Sequence, residues 1–189
     1  MQGLYTTIFL FFILGDNMNE DNIFDKEKFK TILHYIIKKC EDNPNVRRTV
    51  IFKLLYFSDF NFFELYETKL TGESYKKLPH GPAPTNFHLA VKELINEGKI
   101  VEIDEPNFYG RTQYNYSSLK DPIVNLKDEE LEVVDEVIEK LSHMTATQIS
   151  DYSHGDMPWR ATEEYDIINY AFVFYRDPAY TVRVYDESD

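Results

Sequence analysis

Cysteine is nearly absent from this chain: Cys40 stands alone. One cysteine excludes an intramolecular disulfide and any zinc site built on several thiolates. Basic residues are scarce too, 20 against 33 acidic ones, which leaves a net charge of −13. A general nucleic-acid binder neutralises phosphates with lysine and arginine, so direct nucleic-acid binding is not expected. No GxSxG, P-loop, GxGxxG or HExxH occurs. Their absence removes the motif-borne routes to hydrolase, nucleotide and zinc-protease chemistry. His80, His88, His143 and His154 are scattered, and His154-x-Asp156 is too short a pattern to specify a metal. The sequence therefore reads as a non-enzyme with no cofactor and no metal. A membrane-spanning run is also lacking. Residues 4–14, LYTTIFLFFIL, fall short of the roughly 20 apolar residues a spanning helix needs. They have neither the basic start nor the small-x-small cleavage site of a signal peptide. The expected location is the cytoplasm, without membrane attachment. Residues 14–17 can be encoded by a purine-rich ribosome-binding sequence just before Met18. Met18 is the expected start, with residues 1–17 a non-native or disordered apolar leader.

What the chain has in quantity is aromatic residues, 14 Tyr and 14 Phe. They are densest in residues 49–66, TVIFKLLYFSDFNFFELY. Ile51, Leu54, Leu55 and Ser58 share one stripe of a helix, and Phe52, Tyr56, Phe60 and Phe63 share another. A helix apolar on nearly every side is a buried helix, so other elements must wrap this one. Lys53, Ser58, Asp59, Asn61 and Glu64 interrupt it. Asp59 is the odd member. Two readings stand for it: it faces solvent or caps a backbone group, or it lies in a polar pocket for which His154 and Asp156 are further candidates.

The remaining elements follow from periodicity and punctuation. Asp25 caps a helix over residues 26–40, with Phe24 and Phe29 at the staple positions. His34 within it reads as a surface or boundary residue. Residues 71–74 form a turn, residues 75–78 a short extended piece, and His80-Gly81-Pro82-Ala83-Pro84 a rigid turn. Thr85 is placed to cap the next helix, whose apolar face is Phe87, Ala90, Val91, Leu94 and Ile95 and whose stop is Gly98. KIVEI and TQYNYS then read as strands around a hairpin loop over residues 105–110. Helix, glycine, strand, loop, strand is the order of a winged helix. The wing carries Glu102, Asp104 and Glu105 where a DNA reader needs cations, so a scaffold or protein-binding edge is the better reading. A winged-helix-type transcriptional regulator is the alternative, and a basic stripe along residues 85–116 would support it. Residues 127–141 form an amphipathic helix, and Thr145 with Gln148 makes a capping box for a short helix ending at Gly155. The sole tryptophan, Trp159, follows a proline and reads as a plug at a core edge. Residues 167–175 lean to helix, and the end of the chain to an extended, partly disordered tail. The expected fold is α+β, mainly α: one compact helical domain over residues 22–185 around a buried central helix, with a winged-helix-like β-hairpin.

Three motifs, in order, resemble one family. Lys53-Leu54-Leu55-Tyr56-Phe57, then Thr71-Gly72-Glu73-Ser74-Tyr75, then His80-Gly81-Pro82 are similar to the Panacea domain, the SocA-type antitoxin domain of bacteria and phages. Ser153-His154 with Asp156 and Pro158-Trp159 resembles that family's later serine-histidine-to-tryptophan signature. The resemblance implies an antitoxin that neutralises a cognate toxin, usually encoded beside it, by direct protein–protein binding. One named member of the family instead works as an adaptor that delivers its toxin to a AAA+ protease, which makes such a protease a second partner to consider. The candidate toxin contacts are Tyr75, His80, Gly81, Pro82, Tyr109 and Trp159. Tyrosine and tryptophan are favoured at interface hot spots.

Overall fold

The computed structural model describes residues 23–106 and 112–184. The readings made for residues 1–17, for Met18 and for Tyr109 lie outside the described residues. Helix α1 spans Lys26–Lys39, and the Asp25 carboxylate accepts from the Lys28 amide, as its capping position predicts. Helix α2, Arg48–Tyr66, is the predicted central helix. Strands β1 (Tyr75–Leu78) and β2 (Gly81–Pro84) form one antiparallel pair. Helix α3 (Phe87–Asn96) leads into the second pair, β3 (Ile100–Pro106) and β4 (Thr112–Ser118). Helices α4 (Asp128–Leu141), α5 (Ala146–Gly155) and the single-turn α6 (Met157–Arg160) follow. A 3-10 helix spans Tyr170–Tyr175. The fold is α+β, with most ordered residues in helices and two small antiparallel sheets. Among the described residues, no helix is long and apolar enough to cross a membrane.

The central helix is covered as its two apolar stripes require. Helices α1, α4 and α5, strands β2 and β4 and the 3-10 helix all pack against α2. Val50, Ile51, Leu54, Leu55, Tyr56 and Phe60 are buried. A run of aromatic contacts continues along it. Tyr56 meets Phe60 and Tyr75, and Phe60 stacks on Tyr170 with ring centroids 4.0 Å apart.

Four local expectations are corrected. Residues 81–84 form a strand rather than a plain turn, although two are prolines. Proline cannot donate to a ladder, so it must sit where no N–H is needed. Pro82 and Pro84 lie opposite Lys77 and Tyr75. The Lys77 amide donates outward to Asp166 O, and Tyr75 O accepts from the Ile168 amide, so both backbones turn away from the prolines. Thr85 does not cap α3; Asn86 is the cap residue and makes no side-chain cap bond. Glu73 acts in its place, its Oε1 accepting from the Thr85 amide and hydroxyl and from the Asn86 amide. His34 is buried, with Nε2 2.9 Å from Ser118 Oγ. Part of the helix expected over residues 167–175 is instead extended, since Ile167 bridges to Lys76.

Candidate functional site

Four polar interruptions of the central helix, Lys53, Ser58, Asp59 and Glu64, are fully buried, and three of them carry ionisable groups. They lie in three different environments. Ser58 is local, donating to Leu54 O one turn back.

Asp59 is answered by neutral donors. The Thr71 amide donates to Oδ1 at 2.8 Å, the Thr71 hydroxyl reaches both oxygens, and the Tyr75 hydroxyl donates to Oδ2 at 2.6 Å. Burial pushes its carboxyl up to about 6, while the bonds from Tyr75 and Thr71 pull the other way. Gly72 makes the turn possible. Its φ is +71°, and a Cβ there would stand 2.6 Å from Ile23 O.

Glu64 and Asp156 are answered by one cation. Arg176 Nη1 donates to Glu64 Oε2 at 2.7 Å, and Nε and Nη2 form a fork on Asp156 at 2.8 and 2.9 Å. Tyr56 adds its hydroxyl to Asp156 Oδ2 at 2.8 Å. Thr181 Oγ1 and the Val182 amide also donate to Glu64. Burial alone would lower the Arg176 pKa, but Asp156 and Glu64 outweigh it and raise the value. This network ties the last described segment to the central helix. Gly155 lies beneath that segment, and a Cβ there would stand 2.0 Å from the Tyr180 hydroxyl and force that side chain to shift.

The third environment lies between α2, β2 and α5. Lys53 is 1% exposed, and burial lowers its amine to about 7. Gly81, at φ +93°, packs against it. A Cβ there would come 2.4 Å from Ser153 Oγ and 2.8 Å from Lys53 Cε. The His154 ring stacks on Trp159 with centroids 4.3 Å apart, and Lys77 Nζ lies 4.0 Å from the centre of the Trp159 rings. Burial, then Lys53, lowers the His154 pKa.

The three polar-pocket candidates thus do not share a pocket. Asp59 belongs with Tyr75, Asp156 with Arg176, and His154 with Trp159. Among the toxin-contact candidates, Tyr75 is 0% exposed and committed to Asp59, so its side chain is a core element rather than a surface contact. Gly81 and Pro82 are buried in β2, His80 is exposed at the hairpin tip, and Trp159 is half-buried. Ser150 Oγ donates to His80 O at 3.2 Å, which fastens the tip to α5. The residues missed in the sequence reading are Arg176, Glu73 and the functional weight of Lys53. Lys53 had a signal, a lysine inside an otherwise apolar run; Arg176 had none.

The order helix, strand, strand is present as α3, β3 and β4, but its cations do not form a stripe among the described residues. Lys99 pairs with Glu97 at 2.6 Å, Glu93 pairs with Lys26 and Lys30, and Glu102 and Asp104 are exposed. Arg48, beside it, lies over the Tyr114 ring at 3.9 Å.

No curated protein and no solved structure matches the chain. One family profile does, that described as antitoxin SocA-like, Panacea domain, over residues 51–160. The match runs from the central helix through both β-strand pairs to the His154–Trp159 stack, and so takes in all three buried environments except Arg176, Thr181 and Val182. The chain belongs to the SocA-like, Panacea-domain antitoxin family.

Proposed function

We propose that this protein is an antitoxin that neutralises a cognate toxin by binding it directly, without catalysis of its own. Membership of the family over residues 51–160 carries this reading. The surface beside β1 supports it. The segment after α6 folds back along β1, with the Tyr165 amide donating to Lys77 O at 3.0 Å and the Lys77 amide to Asp166 O at 2.9 Å. This leaves Tyr165 and Ile167 more than half exposed, at 58% and 53%. Tyr165 holds a positive φ of 70°, which a non-glycine residue rarely adopts. His80 at the hairpin tip and the edge of Trp159 flank the same strand. Apolar groups with an aromatic anchor beside polar ones suit a protein interface. The charge of −13 suits a basic toxin.

The test is co-expression with the product of the neighbouring gene. The neighbour alone should arrest growth, and this protein should restore it and co-purify with the toxin. Tyr165→Ser with Ile167→Ser should abolish rescue while leaving the melting temperature in place. A harmless neighbour, or rescue untouched by the double variant, would overturn the reading. Loss of toxin protein during rescue would mark delivery to a protease; persistence would mark occlusion.

A further inference from the structure

The corner between α2, β2 and α5 holds polar nitrogens without partners. Lys53 is 1% exposed as a residue, and its amine makes no hydrogen bond or ion pair among the described residues. His154 Nε2 and Trp159 Nε1 are also buried and unpartnered. Buried polar atoms are nearly always bonded, and each exception calls for a ligand or a water. An ammonium and an indole N–H can only donate, so what is missing is an acceptor. The groups are neighbours in the fold. Gly81 touches Lys53 and Ser153, Ser153 precedes His154, and His154 lies on Trp159. Lys53, His80 and Lys77 all act on His154 as positive charges, and Asp151 opposes them. In a chain of net charge −13, this is a local excess of the opposite sign.

We propose that this corner is a binding site for a small free carboxylate, held by the Lys53 amine, His154 Nε2–H and Trp159 Nε1–H. Two carboxylate oxygens offer enough lone pairs for three donors. One buried ammonium balances a single negative charge, whereas a phosphate group would bring nearly two. Lys77 does not supply the second cation, because its amine donates to Thr162 O at 2.8 Å while lying over Trp159. The Asp156 carboxylate, nearby in sequence, is already taken by Tyr56 and Arg176. The donor atoms sit below the surface, which a partner protein's rigid face does not reach. His80 is exposed and Trp159 half-buried at the outer side of the corner. Gly81 lets β2 pack directly on Lys53 and Ser153, where a Cβ would crowd both. The site rests on these contacts and is independent of toxin neutralisation.

Trp159 is the only tryptophan, so its indole N–H gives a single resonance to follow. Formate is titrated into the full chain at constant ionic strength, with chloride as the control. The expected result is a saturable shift of the indole proton with formate and none with chloride. Lys53→Met should weaken formate binding roughly tenfold or more, as loss of a charge-assisted contact does, with no fall in melting temperature. Should that variant fail to fold, His154→Gln takes its place with the same expectation. A response to formate no different from chloride, or an affinity unchanged in the folded variant, would overturn the site.

Discussion

The two ends of the central helix bury charge in opposite ways. Toward its C-terminus, Asp59 and Glu64 are fully buried and fully answered, the first by Thr71 and Tyr75, the second by Arg176, Thr181 and Val182. Toward its N-terminus, Lys53 is as deeply buried and meets no counterpart. Desolvation is costly for all three, yet partners oppose it only at the carboxylates. The pKa directions record the difference. Arg176 is raised by its partners, Asp59 is raised to about 6 despite its donors, and Lys53 falls to about 7 with nothing to oppose burial. A completed network is architecture. An uncompleted one leaves a place open to something else.

The comparison breaks most visibly at Arg176. Arg176→Met leaves two buried carboxylates without a cation and should cost about 3–5 kcal/mol, read from the urea midpoint. A loss under about 1 kcal/mol would mean that the carboxylates reach water and the lock is incidental. Asp59 comes next. A carboxyl raised in the folded state holds its proton more tightly than in the unfolded chain. Its stabilising contribution is therefore present below the unfolded value of 3.8 and lost as pH rises through about 6. Asp59→Asn should flatten that decline, a change on the order of 2–3 kcal/mol across the interval. An unaltered pH profile would remove Asp59 from the account.

Lys53 sharpens the contrast with the sign reversed. Its folded-state value lies below the unfolded 10.5, so its burial penalty is full below about pH 7 and fades as pH rises toward 10.5. Lys53→Met should be more stable than the parent by about 2 kcal/mol at pH 6, and the gain should shrink in alkaline buffer. A destabilised variant at pH 6 would show that the amine has a partner after all. The smallest effect is expected at the surface. Arg160 pairs with Asp177 at 2.9 Å with both side chains about half exposed, and Arg160→Ala should change stability by less than about 0.5 kcal/mol.

The helices were legible because their signals are local. Asp25, the alternation of Phe29, Ile32, Leu33 and Ile36, and the Thr145–Gln148 box each act within one or two turns, and the structure bears them out. The central helix was legible from its lack of a polar face. What composition and periodicity could not reach were pairings across the chain. Nothing near Arg176 points to Glu64, and nothing in GPAP announces a strand, because its place in the ladder depends on Lys77 and Tyr75 bonding outward to residues 166–168. Tyr75 was misplaced for the same reason. A tyrosine beside a glycine turn is equally a surface anchor or a buried donor until Asp59 is seen to lie 2.6 Å away. His154 and Trp159 were picked out, but their meaning lies in the neighbouring Lys53, more than a hundred positions earlier in the chain.

The Arg176 lock also has a temporal consequence. It joins residues 112 positions apart, and its other arm reaches Asp156 and, through it, Tyr56. Contacts that close long loops form late on the way to the native state, after local helices and hairpins. Interactions absent from the folding transition state act on the rate of escape rather than the rate of arrival. Weakening the lock should therefore leave refolding half-times nearly constant and shorten the lifetime of the folded chain. One guanidinium and its pair of carboxylates would then set how long the folded chain persists, not how fast it forms.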